Sequence, residues 1–176
     1  NKNEIYKIAA NLILKEKIFG WFHDRSEFGP RALGNRSILA NPISPKTKYI
    51  LDHYMKSRER YRPYAPVVIE EFANKYFDID TNSPVMMRNA KVLDKKLSSI
   101  MHYDGTARVQ TVNRKENVSL YKLLLEVKKN IGYPILLNTS FNIPGEPIVE
   151  SPYDALSAFS QGSLDYLFLE NIIISR

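Results

Sequence analysis

Residues 118–159 read VSLYKLLLEVKKNIGYPILLNTSFNIPGEPIVESPYDALSAF, and the order of elements in this stretch decides the fold. Leu120, Leu123, Leu124 and Val127 recur at helical spacing, so 119–130 is predicted as an amphipathic helix, with Gly132 placed to cap its end. The run 134–138 is short and continuously apolar, which is the signature of a strand buried on both faces. A cluster of neutral polar residues follows at once. Ser151 and Pro152, with Asp154 three residues after the serine, then announce a capped helix running to about Gln161. A helix, a buried strand and a second helix in succession point to an α/β fold.

The rest of the chain extends this pattern. Ile5, Ile8, Ala9, Leu12 and Ile13 define a helix over 4–16, and 18–22 reads as a strand. Gly29, Pro30 and Gly34 make 26–37 a loop assembly. Ser44-Pro45 starts a helix expected to reach Arg60, burying Ile50, Leu51, Tyr54 and Met55, before Pro63 and Pro66 end it. Strands are predicted at 67–69, 106–112, 164–169 and 172–174, an extended segment at 85–93 and a short helix at 70–76. Helices and strands alternate irregularly, so the expectation is one α/β (α+β) domain over 1–176 with a mixed sheet.

Composition limits the function classes. The 176 residues are 44% hydrophobic and 25% charged, which is globular, and no run approaches the length of a membrane span. There is no cysteine, which removes disulfides, thiolate metal sites and thiol nucleophiles. Nothing resembles an export signal, so a cytoplasmic location is expected. The chain opens without Met inside a helix, and is expected to be part of a longer protein. Its net charge of +6 suits an anionic partner, and the arginines lie among Gly, Pro, Ser and aromatic residues rather than in a tail.

Four segments carry candidate chemistry. In 27–37, EFGPRALGNRS, glycines let backbone amides approach an anion, and Arg31 and Arg36 could fork onto phosphate oxygens; the competing reading is a structural turn with Arg31 paired to Glu27. In 56–66, KSRERYRPYAP, Lys56 and Arg60 share a helix face, as do Arg58 and Arg62, with Tyr61 and Tyr64 interleaved. This patch could grip a triphosphate, or simply be a solvated helix end. In 104–112, DGTARVQTV, a turn puts Thr106, Arg108 and Gln110 on one face of a strand, either lining a site or wetting an edge. In 136–147, LLNTSFNIPGEP, Asn138, Ser140 and Asn142 alternate beyond a strand end, where ligands bind in open α/β sheets. His23, His53 and His102 lack metal-ligand spacing, and Asp104 and Glu146 are candidate carboxylates that could equally be turn residues.

The stretches EFGPRALGNRSIL, KSRERYRPYAPVV, HYDGTARVQTV, LLNTSFNIPGEPIV and SPYDAL, in this order, resemble the C-terminal domain of the O-carbamoyltransferase family, which includes nodulation-factor, cephem and tobramycin carbamoyltransferases. The likeness runs from residue 20 to about 174; Ser26 stands where a Met is expected, and 78–99 is individual to this chain. It implies a YrdC/Sua5-like open twisted mixed sheet with flanking helices. It also implies formation of carbamoyl adenylate from carbamoyl phosphate and ATP, with Mg²⁺ accompanying ATP. A preceding Kae1-like domain would hold iron and pass the carbamoyl group to a sugar, polysaccharide or antibiotic hydroxyl. The family's ligand-gripping positions fall on Arg31, Lys56, Arg62, Arg108, Ser140 and Asn142, with Asn138 beside them, and Lys56, Arg62 and Arg108 as the catalytic cations. Alternatives are an RNA- or nucleotide-binding module and threonylcarbamoyl adenylate synthesis; the motifs favour the carbamoyltransferases, so neither nucleic acid nor membrane is expected as a partner.

Overall fold

A computed structural model describes residues 4–55, 59 and 61–176. Among these residues the chain forms nine strands in one mixed sheet. They are β1 (Phe19–Phe22), β2 (Arg36–Ala40), β3 (Ala65–Ile69), β4 (Phe77–Asp78), β5 (Arg88–Val92), β6 (Thr106–Val112), β7 (Ile135–Ser140), β8 (Tyr166–Leu169) and β9 (Ile172–Ser175). The spatial order is β4-β5-β6-β3-β7-β2-β1-β8-β9. β7 runs antiparallel to both β2 and β3, whereas β3–β6 and β1–β8 are parallel pairs.

Strand alternation sends each residue set to one of two cores. On one face, α1 (Glu4–Leu14) and α4 (Val118–Ile131) bring Ala9, Ile13, Leu123, Leu124 and Val127 against Phe19, Trp21, Leu39, Val67, Leu136 and Phe168. On the other, α5 (Pro152–Gln161), α2 (Pro45–Ile50) and the turns after it cover Ile18, Ile38, Val68, Ile135, Leu137 and Phe141. Each fully buried Leu, Ile or Phe contributes about 1.5–3 kcal/mol relative to exposure, so the two-sided core is the main source of stability.

Local chemistry fixes the helix ends. Asn117 caps α4 by accepting the Leu120 amide, and Gly132 closes it at φ 80°, as its position suggested. Ser151 and Asp154 form the reciprocal capping box of α5. Ser44 caps α2 through the Thr47 amide, but the helix widens into a π-helical turn over Leu51–Met55. Its expected continuation to Arg60 lies largely outside the described residues.

Several expectations need correction. Arg36 and Ser37, expected at the end of the loop, open strand β2, because Arg36–Ala40 completes the antiparallel ladders of both β1 and β7. The predicted helix 70–76 is a 3₁₀ turn, Glu70–Phe72, followed by the short α3 (Ala73–Tyr76). The extended segment 85–93 holds a strand only from Arg88, paired with β4 and β6. β6 is no edge strand: it is paired on both sides, with β3 and β5.

Candidate active site

The face shared by α1 and α4 is not covered by helix beyond the end of β7. Here Asn138 lies opposite Leu39 of β2 and Ala65 of β3, and Ser140 lies opposite Ser37. The small Ala65 leaves room above the sheet. The loop 24–35 crosses this gap and is tied down at several points. The Glu27 carboxylate accepts the amides of Leu33 at 2.7 Å and Asn35 at 2.6 Å. Among the described residues no ion pair joins Glu27 to Arg31. Asn117, the cap of α4, donates to Asn35 Oδ1 at 2.8 Å. Gly34 packs its bare Cα against Leu120 at φ +115°. Gln110 donates to the Leu33 carbonyl at 2.6 Å, and Asn138 donates to the Ala32 carbonyl at 3.1 Å and to Gln110 Oε1 at 2.8 Å.

Beneath this loop is a cavity of about 220 Å³, lined by Pro30, Arg31, Ala32, Arg62, Pro63, Tyr64, Ala65, Met86, Arg108, Asn138, Thr139 and Ser140. Five separate segments therefore meet at the C-terminal end of β7. Arg31, Arg62 and Arg108 bring guanidinium groups, and no carboxylate is among the described residues that line the cavity. Its remaining polar groups are neutral hydroxyls and amides. Such a set attracts an anion and can hold its oxygens by charge-assisted hydrogen bonds. Tyr64 is buried, and its hydroxyl donates to Asp52 Oδ1 at 2.8 Å; Asp52 in turn pairs with Lys48 at 2.5 Å, which fixes this wall.

Of the residues singled out in the sequence, Arg31, Arg62, Arg108, Asn138 and Ser140 share this cavity. Lys56 lies outside the described residues, as do Arg58 and Arg60. Asn142 does not line it: Asn142 accepts the Ser140 hydroxyl at 2.7 Å and donates to the Glu146 carbonyl at 2.8 Å, so it orients Ser140 and shapes the turn. Arg36 is not the second phosphate fork. It is buried on the opposite sheet face, stacked 3.5 Å from the Phe22 ring centroid, and donates to the carbonyls of His23 and Asn35. Strand alternation explains this, since Arg36 belongs to β2 rather than to the loop. Asp104 accepts the amide and hydroxyl of Thr106, and those hydrogen bonds hold its carboxyl below the usual range, so it is a turn residue. Among the described residues no group of three His, Asp or Glu side chains could hold a metal.

Sequence reasoning missed Met86, and it pointed to Gln110 and Thr139 only as members of polar segments, without a binding role. Met86 comes from 78–99, where no pattern marked a wall residue. Gln110 was legible only as one member of the polar face of β6. Phe28, Leu33, Val85 and Met87 extend the cavity into an adjoining apolar hollow of about 320 Å³ that shares Arg31, Met86 and Arg108 with it.

The family profile described as "Carbamoyltransferase C-terminus" matches residues 10–176. The nodulation protein NolO of Bradyrhizobium diazoefficiens is 42% identical over 180 residues, covering 99% of this chain and 33% of that protein. The chain thus spans about a third of the length of that relative. Full-length HypF, solved in a phosphate- and nucleotide-bound form, superposes with a TM-score of 0.62 at 19% identity over 93% of this chain and 20% of its own. Sua5 from P. abyssi, solved with L-threonine, superposes with a TM-score of 0.56 at 13% identity over 88% of this chain and 44% of its own. These likenesses establish the YrdC/Sua5-like fold expected from the sequence, and the profile together with the identity to NolO places the chain in the carbamoyltransferase C-terminus family.

Proposed function

We propose that this domain binds carbamoyl phosphate and ATP and forms carbamoyl adenylate, for transfer to an acceptor hydroxyl by a preceding Kae1-like domain. The observation that carries the reading is the cavity at the end of β7, which Arg31, Arg62 and Arg108 line beside neutral amides and hydroxyls, with no carboxylate among its described lining residues. That combination suits a substrate pair with several phosphoryl groups and one uncharged amide. Water first cleaves carbamoyl phosphate into carbamate and inorganic phosphate, releasing a proton. A carbamate oxygen then attacks the α-phosphorus of ATP, the bond from Pα to the bridging oxygen breaks, and pyrophosphate leaves. Fixed guanidinium groups stabilise the charge that builds on the phosphoryl oxygens. Arg62, Arg108 and Lys56 are assigned to the reacting groups and Arg31 to a phosphate, while Ser140, whose hydroxyl proton is held by Asn142, presents its oxygen as an acceptor to the carbamoyl group.

Mg²⁺ would accompany ATP and neutralise its phosphates. With no three-ligand cluster among the described residues, the ion is assigned to the triphosphate, and iron to the preceding domain. No described helix is long and apolar enough to cross a membrane, and a cytoplasmic site of action is proposed. The acceptor is assigned by class only, a sugar, polysaccharide or antibiotic hydroxyl.

The test is exchange of labelled pyrophosphate into ATP by the whole protein. Exchange that requires carbamoyl phosphate, and falls about a hundredfold or more in Arg62→Ala, Arg108→Ala or Lys56→Ala, is the expected result. Undiminished exchange in all three variants would refute the assignment. Exchange that needed L-threonine instead would favour the chemistry of a Sua5-like enzyme.

A further inference from the structure

The orientation of two side-chain amides at the cavity is fixed by their surroundings. Gln110 faces the Leu33 carbonyl at 2.6 Å, so its NH₂ must point there and its oxygen must point to Asn138. Asn138 meets two acceptors, that oxygen at 2.8 Å and the Ala32 carbonyl at 3.1 Å, so both contacts are made by its NH₂. Turning either amide over would set oxygen against oxygen. The Asn138 oxygen is therefore left as an acceptor. Asn138 is 2% exposed, and its Oδ1 is buried with no hydrogen-bond partner among the described residues. On the neighbouring strand, Ser37, which lies opposite Ser140, also has a buried hydroxyl without a partner among the described residues. A buried acceptor held in one orientation and left unpaired is costly, and it persists where a ligand completes it.

We infer that Asn138 is the specificity-determining residue for the acyl group: its Oδ1 accepts an N–H of the carbamoyl amide, and so separates a carbamoyl phosphate from an acyl phosphate of the same shape without that N–H. This rests on the carbamoyl phosphate reading above and adds to it the group that recognises the amide. Acetyl phosphate is the decisive comparison, because it replaces NH₂ by a methyl group of nearly the same size. The methyl would fill the space while leaving Oδ1 buried and unpaired. A site built around a hydrogen bond rejects such an analogue far more strongly than a site built on fit alone.

The experiment compares pyrophosphate–ATP exchange driven by carbamoyl phosphate and by acetyl phosphate, in the whole wild-type protein and in Asn138→Ala. The wild type should prefer carbamoyl phosphate in kcat/KM by at least roughly ten- to a hundredfold, the scale of one unpaired buried acceptor. In Asn138→Ala that preference should collapse towards unity, through loss of turnover with carbamoyl phosphate. A purely structural role would lower both substrates in proportion and keep the ratio, which overturns the inference. Equal use of both by the wild type overturns it without any variant, so poor folding of Asn138→Ala does not shield it. Wild-type protein inactive with either substrate would instead remove the carbamoyl phosphate reading on which the inference stands.

Discussion

Replacing Gly34 by Ala tests how the loop over the cavity is held. Gly34 lies at φ +115°, outside the range L side chains adopt readily, and a Cβ built there would stand 2.3 Å from Leu120 Cδ2. Two costs follow. The backbone strain of a non-glycine residue is about 1–3 kcal/mol. Overpacking against Leu120, fully buried between α4 and the sheet, adds about 1–3 kcal/mol, because the leucine has little space into which to move. Their midpoint is about 4 kcal/mol, which for a domain of this size lowers Tm by about 8–16 °C. Gly29 supplies the control: it lies at φ +117° in the same loop, but a Cβ there would have no atom within 4 Å. Gly29→Ala should therefore incur the backbone cost alone, about 1–3 kcal/mol, and a Tm fall of roughly 2–12 °C. Calorimetry or circular dichroism of the three proteins in one buffer measures the difference. If Gly34→Ala is no more destabilising than Gly29→Ala, the close packing of the loop on α4 is not what holds it.

Two further predictions concern stability. His23 is buried against Trp21, and burial lowers its pKa from the ordinary 6.5 despite Glu170 nearby, so the imidazole is neutral in the folded protein. The unfolded chain then binds more protons below pH 6.5, and stability falls as pH drops from that value towards the folded pKa. Tm measured from about pH 7.5 to about 5.5 should fall, and less steeply in His23→Gln; an equal slope in both would remove His23 as the cause. Ser151→Ala removes the hydroxyl that accepts the Asp154 amide, leaving only the backbone half of the α5 capping box, and should cost about 1 kcal/mol, a Tm loss of about 2–4 °C; an unchanged Tm would mean that solvent replaces the cap.

Much of the fold is legible in local pattern. The periodicity of Leu120, Leu123, Leu124 and Val127 announced α4, Gly132 and Ser151 marked helix ends, and the apolar run before Asn138 marked a central strand. What failed to show was non-local. β2 looked like the tail of a Gly-rich loop because strand pairing with β1 and β7, not its own composition, makes it a strand. The two-residue β4 has no local signal and exists through pairing with β5. The same division holds for the site. Motif reading found Arg31, Arg62, Arg108, Asn138 and Ser140, which the structure gathers around one cavity. It misplaced Arg36, because a residue's face is set by register, and it gave Gln110 no role beyond a polar strand face, since its contacts with Leu33 and Asn138 are far away in sequence.

The measurement closest to the central claim is product analysis by ³¹P NMR of the whole protein incubated with carbamoyl phosphate and ATP. Attack on the α-phosphorus requires that ATP be split between Pα and Pβ. The account predicts pyrophosphate, inorganic phosphate and carbamoyl adenylate, or the AMP it releases when water or an acceptor takes the carbamoyl group, formed only when carbamoyl phosphate is present. ADP formed in place of AMP, or AMP formed equally well without carbamoyl phosphate, would contradict it.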